Sequence, residues 1–145
     1  MLNWEENDQF PDFLSRPVAA RTAEAFCKAL QAMKAINETT GKNIADNLVV
    51  AGTLLARMKG LLGRDSLPNG EGLLIKPCMG IHTFGMKYPL DIVFLDRENM
   101  VVAVKRNMQP NRVSRIYFSA VSVFELPAGT LEGTQVTIGD RIIIG

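Results

Sequence analysis

From residue 73 onward, turn-forming residues cut the chain into short apolar runs, and this rhythm constrains the fold more than any other feature. Runs at 73–76, 90–95, 100–105 and 121–126 are dense in β-branched and aromatic residues, which suit a pleated, packed surface. Their separators are turn chemistry: Pro68-Asn69-Gly70-Glu71-Gly72, then Asp96-Arg97-Glu98-Asn99 as a hairpin turn, then Pro127-Ala128-Gly129. Ile138-Gly139-Asp140 turns the chain into a last run at 141–144. Upstream, Asn37-Glu38-Thr39-Thr40-Gly41-Lys42 divides strands expected at 33–38 and 44–51. Short strands at this spacing, without nearby βαβ alternation, predict an α+β chain built as a small, mostly β, barrel-like or sandwich domain.

Helical patterning occurs in two places. Thr53 is placed to cap a helix over 54–62, with Leu54, Leu55, Met58, Leu61 and Leu62 on or near one face and Gly63 as its stop. Near the N-terminus, residues 1–15 are polar and acidic and read as flexible. Ser15 and Pro17 then open a helix over 18–30, with Ala19, Ala23, Phe26 and Leu30 in helical register. The chain therefore divides into an N-terminal extension, 1–32, and one compact domain, 33–145. A chain of 145 residues suffices for a buried core without disulfides or metal. The extension is expected to cover a sheet edge or to mediate homodimer contacts.

Charge and cysteine content narrow the function. Sixteen basic against fifteen acidic side chains give a net charge of +1. That total predicts no nucleic-acid partner and no anionic-membrane footprint. Cys27 and Cys78 are too few for a disulfide scaffold and read as free thiols. An acidic start and the lack of any apolar stretch near ~20 residues predict no signal peptide and no membrane span, hence a cytoplasmic chain. No cofactor is expected.

One segment concentrates the chemistry. Cys78-Met79-Gly80-Ile81-His82-Thr83-Phe84-Gly85-Met86 holds the only histidine. Residues four apart share a face in a strand or a helix, so Cys78, His82 and Met86 align under either backbone. Thiolate, imidazole and thioether suit copper(I), and the first two can begin a zinc site, although the chain has few further soft ligands. A second reading makes Cys78 the nucleophile, His82 the base and Asp91 the orienter of a thiol hydrolase or transferase. In an extended strand, however, Cys78 and His82 stand about 13 Å apart at ~3.3 Å per residue, so only a tight turn at Gly80 would join them. The plainest reading has His82 and Thr83 satisfying backbone groups while Phe84 and Met86 pack in the core. Asp91 opens the apolar run 90–95 and needs a partner, for which Arg57, Arg64, Lys87 and His82 are candidates in an ion pair.

The order of motifs resembles the family catalogued as domain of unknown function 192, over about residues 35–145. Its marks are Arg57-Met58-Lys59-Gly60-Leu61-Leu62-Gly63-Arg64, Gly70-Glu71-Gly72-Leu73-Leu74 and His82-Thr83-Phe84-Gly85-Met86. Pro89-Leu90-Asp91-Ile92-Val93-Phe94-Leu95-Asp96, Glu125-Leu126-Pro127-Ala128-Gly129 and Gly139-Asp140 complete the series. The resemblance implies a compact α+β or barrel-like domain with no established activity, often behind a signal peptide or lipoprotein anchor. It places Arg57, Gly60, His82, Met86, Pro89 and Asp91 on a candidate functional surface without assigning a reaction. Together these readings predict a small non-catalytic binding or interaction domain for a small ligand or protein partner. Its site comprises Arg57, Cys78, His82, Thr83, Met86 and Asp91. A thiol-dependent enzyme and a copper or zinc protein are the rivals.

Overall fold

The computed structural model describes residues 33–52, 61 and 64–145. The expected N-terminal extension with Cys27, the internal helix over 54–62 apart from Leu61, and the candidate positions Arg57 and Gly60 lie outside the described residues. The chain divides into two units, Met1–Gln31 and Ala32–Gly145, and the second holds everything below.

Seven strands form one sheet: β1 (Met33–Asn37), β2 (Asn43–Ala51), β3 (Glu71–Ile75), β4 (Leu90–Leu95), β5 (Val101–Met108), β6 (Ser122–Pro127) and β7 (Ile142–Ile144). Their order is β5-β4-β6-β3-β2-β1-β7. The strand positions follow the expected runs, and Asp96 makes the β4–β5 hairpin turn. Its carboxylate accepts from the Glu98 and Met100 amides, each at 2.9 Å, while Asn99 takes φ 60°.

Of the two expected mostly β architectures, the barrel-like one is found: the domain is a single curled sheet. Its outer strands approach each other where Met100 bridges Arg141, with the Val101 amide donating to Asp140 at 2.8 Å and the Ile142 amide to Asn99 at 2.9 Å. In addition, β2 and β3 pair in parallel, from Asn47 with Glu71 to Ala51 with Ile75. A parallel pair needs a long connection, and residues 52–70 provide the length for one. The helix among the described residues is an unforeseen short one, α1 (Thr130–Thr134).

The central strands are buried on both faces, which explains their unbroken apolar sequences. Val93, Leu95, Phe124 and Leu126 point to one cluster with Leu48, Leu131 and Val136. Ile92, Phe94 and Val123 point to a second with Leu73, Ile75, Cys78 and Ile81. The loops at 76–89 and 109–121 roof this second face, and the candidate site belongs to that roof.

Asp140 ties the sheet's two ends together. It is buried, and its Oδ2 accepts from the Asn37 side chain at 2.8 Å and the Thr137 amide at 2.9 Å. Burial alone would raise its pKa, but the hydrogen bonds from Thr137, Asn37 and Thr39 outweigh it and hold the carboxyl below its ordinary value. A depressed folded-state pKa stabilises the fold above the unfolded value, ~4, and that contribution is lost as pH falls through the folded value. Acid unfolding of Asp140→Asn should therefore show a shallower loss of stability below about pH 4 than the native chain. Identical acid limbs for the two proteins would contradict this role.

Candidate functional site

The segment 78–86 is neither a regular strand nor a helix. It is an arm hydrogen-bonded antiparallel to a second arm, 111–117. The Thr83 amide donates to Arg112 at 2.8 Å, the Ser114 amide to Ile81 at 2.9 Å and the Tyr117 amide to Met79 at 2.8 Å. His82 and Val113 form the bridge between the arms. Gly80 allows the arms to approach closely, since a Cβ there would lie 3.3 Å from the Arg115 carbonyl oxygen.

Alternation along the first arm separates the candidate residues. Cys78 is 7% exposed, packs in the second core cluster, and donates its thiol hydrogen to the Gly80 carbonyl at 3.0 Å. Thr83 is fully buried and joins the arms, its hydroxyl donating to the Gln109 carbonyl at 2.7 Å and accepting from the Arg112 amide at 3.0 Å. Met86 is half-buried against the second cluster. His82 is exposed, with its ring 5.3 Å from that of Phe84. Phe84 is also exposed, which corrects the expectation that it packs in the core.

Asp91 sits elsewhere, on β4. Its Oδ1 accepts from the Asn107 amide at 2.8 Å and its Oδ2 from the Leu131 amide at 2.9 Å. The expected ion pair is thereby corrected: the partners are backbone amides, and among the described residues no cation reaches this carboxylate. The physical reason is α1, whose first turn presents orphan N–H groups. Its capping position is Gly129, which offers no side chain, so Asp91 serves as the cap from a neighbouring strand. Cys78, His82, Met86 and Asp91 therefore do not meet in one cleft. Among the described residues, no three His, Cys, Asp or Glu side chains gather as metal ligands.

The bridged arms instead form an open groove of about 470 Å³, lined chiefly by Met79, Ile81, His82, Phe84, Val113 and Ile116. Large apolar side chains stand in solvent around it: Met79 is 47% exposed, Phe84 51%, Ile116 61%, Val113 66% and nearby Phe118 85%. Most of these residues escaped the sequence reading, which weighed polar chemistry. The available signal was Arg112-Val113-Ser114-Arg115-Ile116-Tyr117-Phe118, where cations interleave with apolar side chains.

A second polar group lies around Tyr88. Arg64 pairs with Glu71 at 2.8 Å, and the Tyr88 hydroxyl is 3.5 Å from the Leu61 carbonyl. Burial raises the Tyr88 pKa; Arg64 opposes the rise, while Glu125 and Glu71 add to it. Lys87 pairs with Asp65 at 2.8 Å on the surface. Among the described residues, no helix is long and apolar enough to cross a membrane.

Comparison with known proteins agrees with this architecture. A protein of Thermococcus sibiricus (strain DSM 12597 / MM 739), designated a UPF0127 protein, is 31% identical over 112 residues, covering 74% of this chain and 71% of its own. A solved structure of a protein of unknown function from Novosphingobium aromaticivorans DSM 12444 superposes with TM-score 0.66 at 20% identity. That match covers 77% of this chain and 82% of the other. A candidate transcription regulator from Sinorhizobium meliloti 1021 gives TM-score 0.64 at 23% identity, covering 77% and 91%. At these identities the two structures establish a shared fold alone. The family model for DUF192 (Uncharacterized ACR) matches residues 35–144, and the chain belongs to that family.

Proposed function

We propose that this chain is a non-catalytic binding domain whose contact surface is the groove between residues 79–84 and 113–116. The observation that carries this reading is the apolar exposure of Met79, Phe84, Val113 and Ile116 on two arms hydrogen-bonded to each other. Contiguous apolar surface of this kind, edged by polar residues, is the physical signature of a contact site. The supports beneath it are fixed: Thr83 fastens the arms, and Cys78 and Ile81 anchor the first arm in the core. The thiol-enzyme reading has less support, because the Cys78 thiol is buried and hydrogen-bonded to a carbonyl while His82 faces solvent.

The test is saturable uptake of the apolar anionic dye anilinonaphthalene sulfonate by the native full chain, followed by fluorescence. Val113→Asp with Ile116→Asp should weaken uptake roughly tenfold or more, because the dye would have to desolvate carboxylates. Cys78→Ser should leave uptake unchanged. Absence of uptake by the folded native chain, or full uptake by the double variant, would refute the reading.

A further inference from the structure

The balanced total charge conceals a strongly uneven distribution. Between Glu71 and Asp91 the chain has no carboxylate side chain but carries Lys76 and Lys87. Between Glu98 and Glu125 it again has none, while carrying Lys105, Arg106, Arg112 and Arg115. These two stretches contain the groove's two arms. Lys87 is neutralised by Asp65, and Arg106 donates to the Val136 carbonyl at 3.0 Å. Arg112 and Arg115 are exposed and, among the described residues, form no ion pair. They alternate along the second arm with Val113 and Ile116, and Phe118 follows.

Resting on the groove being a contact surface, we infer that this face docks on an anionic phospholipid surface. Val113, Ile116 and Phe118 enter the boundary between headgroups and acyl chains, and Arg112 and Arg115 meet the lipid phosphates. Charge selects this occupant. A second copy of the same face would bring like charges together with no acid to offset them. An extended peptide finds few free backbone groups on the facing edges, because the arms already bond to each other. Phe118, the most exposed of these apolar side chains at 85%, stands outside the groove lining. Protruding apolar groups beside exposed cations match an interfacial bilayer, where insertion and attraction to anionic lipid act together.

The experiment is co-sedimentation of the full chain with vesicles of phosphatidylcholine mixed with phosphatidylglycerol, against vesicles of phosphatidylcholine alone. The mixed vesicles should pellet the chain, and the neutral ones should not. Raised salt should release it, because exposed charges are screened. Arg112→Gln with Arg115→Gln should weaken partitioning by about thirtyfold, at ~fivefold per cation brought to the surface. Phe118→Ser, at a position too exposed to disturb the core, should weaken vesicle binding while leaving dye uptake intact. A chain that stays in the supernatant with mixed vesicles, or binds both vesicle types equally, overturns the inference. Dye uptake without vesicle binding removes the lipid partner and leaves the groove as a binding site; absence of both removes the two together. Retention by an immobilised peptide of alternating glutamate and leucine, without vesicle binding, would reassign the face to an acidic protein segment and overturn the lipid docking.

Discussion

Replacing Asp91 by alanine is expected to lower the unfolding free energy by about 3–6 kcal/mol, the sum of two hydrogen bonds to an ionised acceptor at ~1.5–3 kcal/mol each. The carboxylate is 1% exposed and accepts from the Asn107 and Leu131 amides, so alanine orphans two donors, the Leu131 amide in a buried site and the Asn107 amide in a partly buried one. Asparagine should do less harm, about 2 kcal/mol, because its amide oxygen satisfies one donor while its NH₂ opposes the other. Urea denaturation measures both effects. Hydrogen exchange should localise them, with faster exchange at Leu131 and Asn107. Salt separates this account from the ion pair that the sequence suggested: an ion pair weakens as salt rises, whereas a buried amide cap changes little. A loss below about 1 kcal/mol in Asp91→Ala would contradict the capping role.

Asp91 also shows what was legible in the sequence and what was not. That an acid inside the run 90–95 needs a partner follows from composition and desolvation alone. The partner's identity does not, because Leu131 lies forty residues away on a helix too short to announce itself by periodicity. Strands were readable where local chemistry decides them: the Asp96–Asn99 turn is written in residues that bind their own backbone. The parallel pairing of β2 with β3 was hidden because register across a long crossover is a tertiary outcome. The site divides the same way. His82 and Thr83 drew attention as polar residues between glycines. The arm at 111–117, however, interleaves cations with apolar side chains without strict strand alternation, and it acquires a role only by pairing with the first arm. Net charge hides distribution for a related reason: acidic excess at 1–32, 91–98 and 125–140 offsets the basic excess at 72–90 and 99–124.

Thr83→Val is expected to loosen the groove without unfolding the domain. The Thr83 hydroxyl donates to Gln109 and accepts from Arg112, and valine has a similar shape but lacks both functions. An orphaned carbonyl and an orphaned amide together should cost about 2–3 kcal/mol, which corresponds to roughly 30-fold to 150-fold faster local opening. The effect should be confined to the arms, because the Phe94 and Val123 packing beneath them does not depend on this hydroxyl. Hydrogen exchange at the Arg112 amide reads the opening, and dye uptake reads its consequence, a groove whose second arm no longer holds Val113 and Ile116 beside Met79 and Phe84. Thr83→Ser keeps both hydrogen bonds and should restore most of the protection, which separates loss of the clamp from loss of a methyl group. Wild-type exchange at Arg112 together with undiminished dye uptake in Thr83→Val would mean that the arms stay together by their backbone bonds alone.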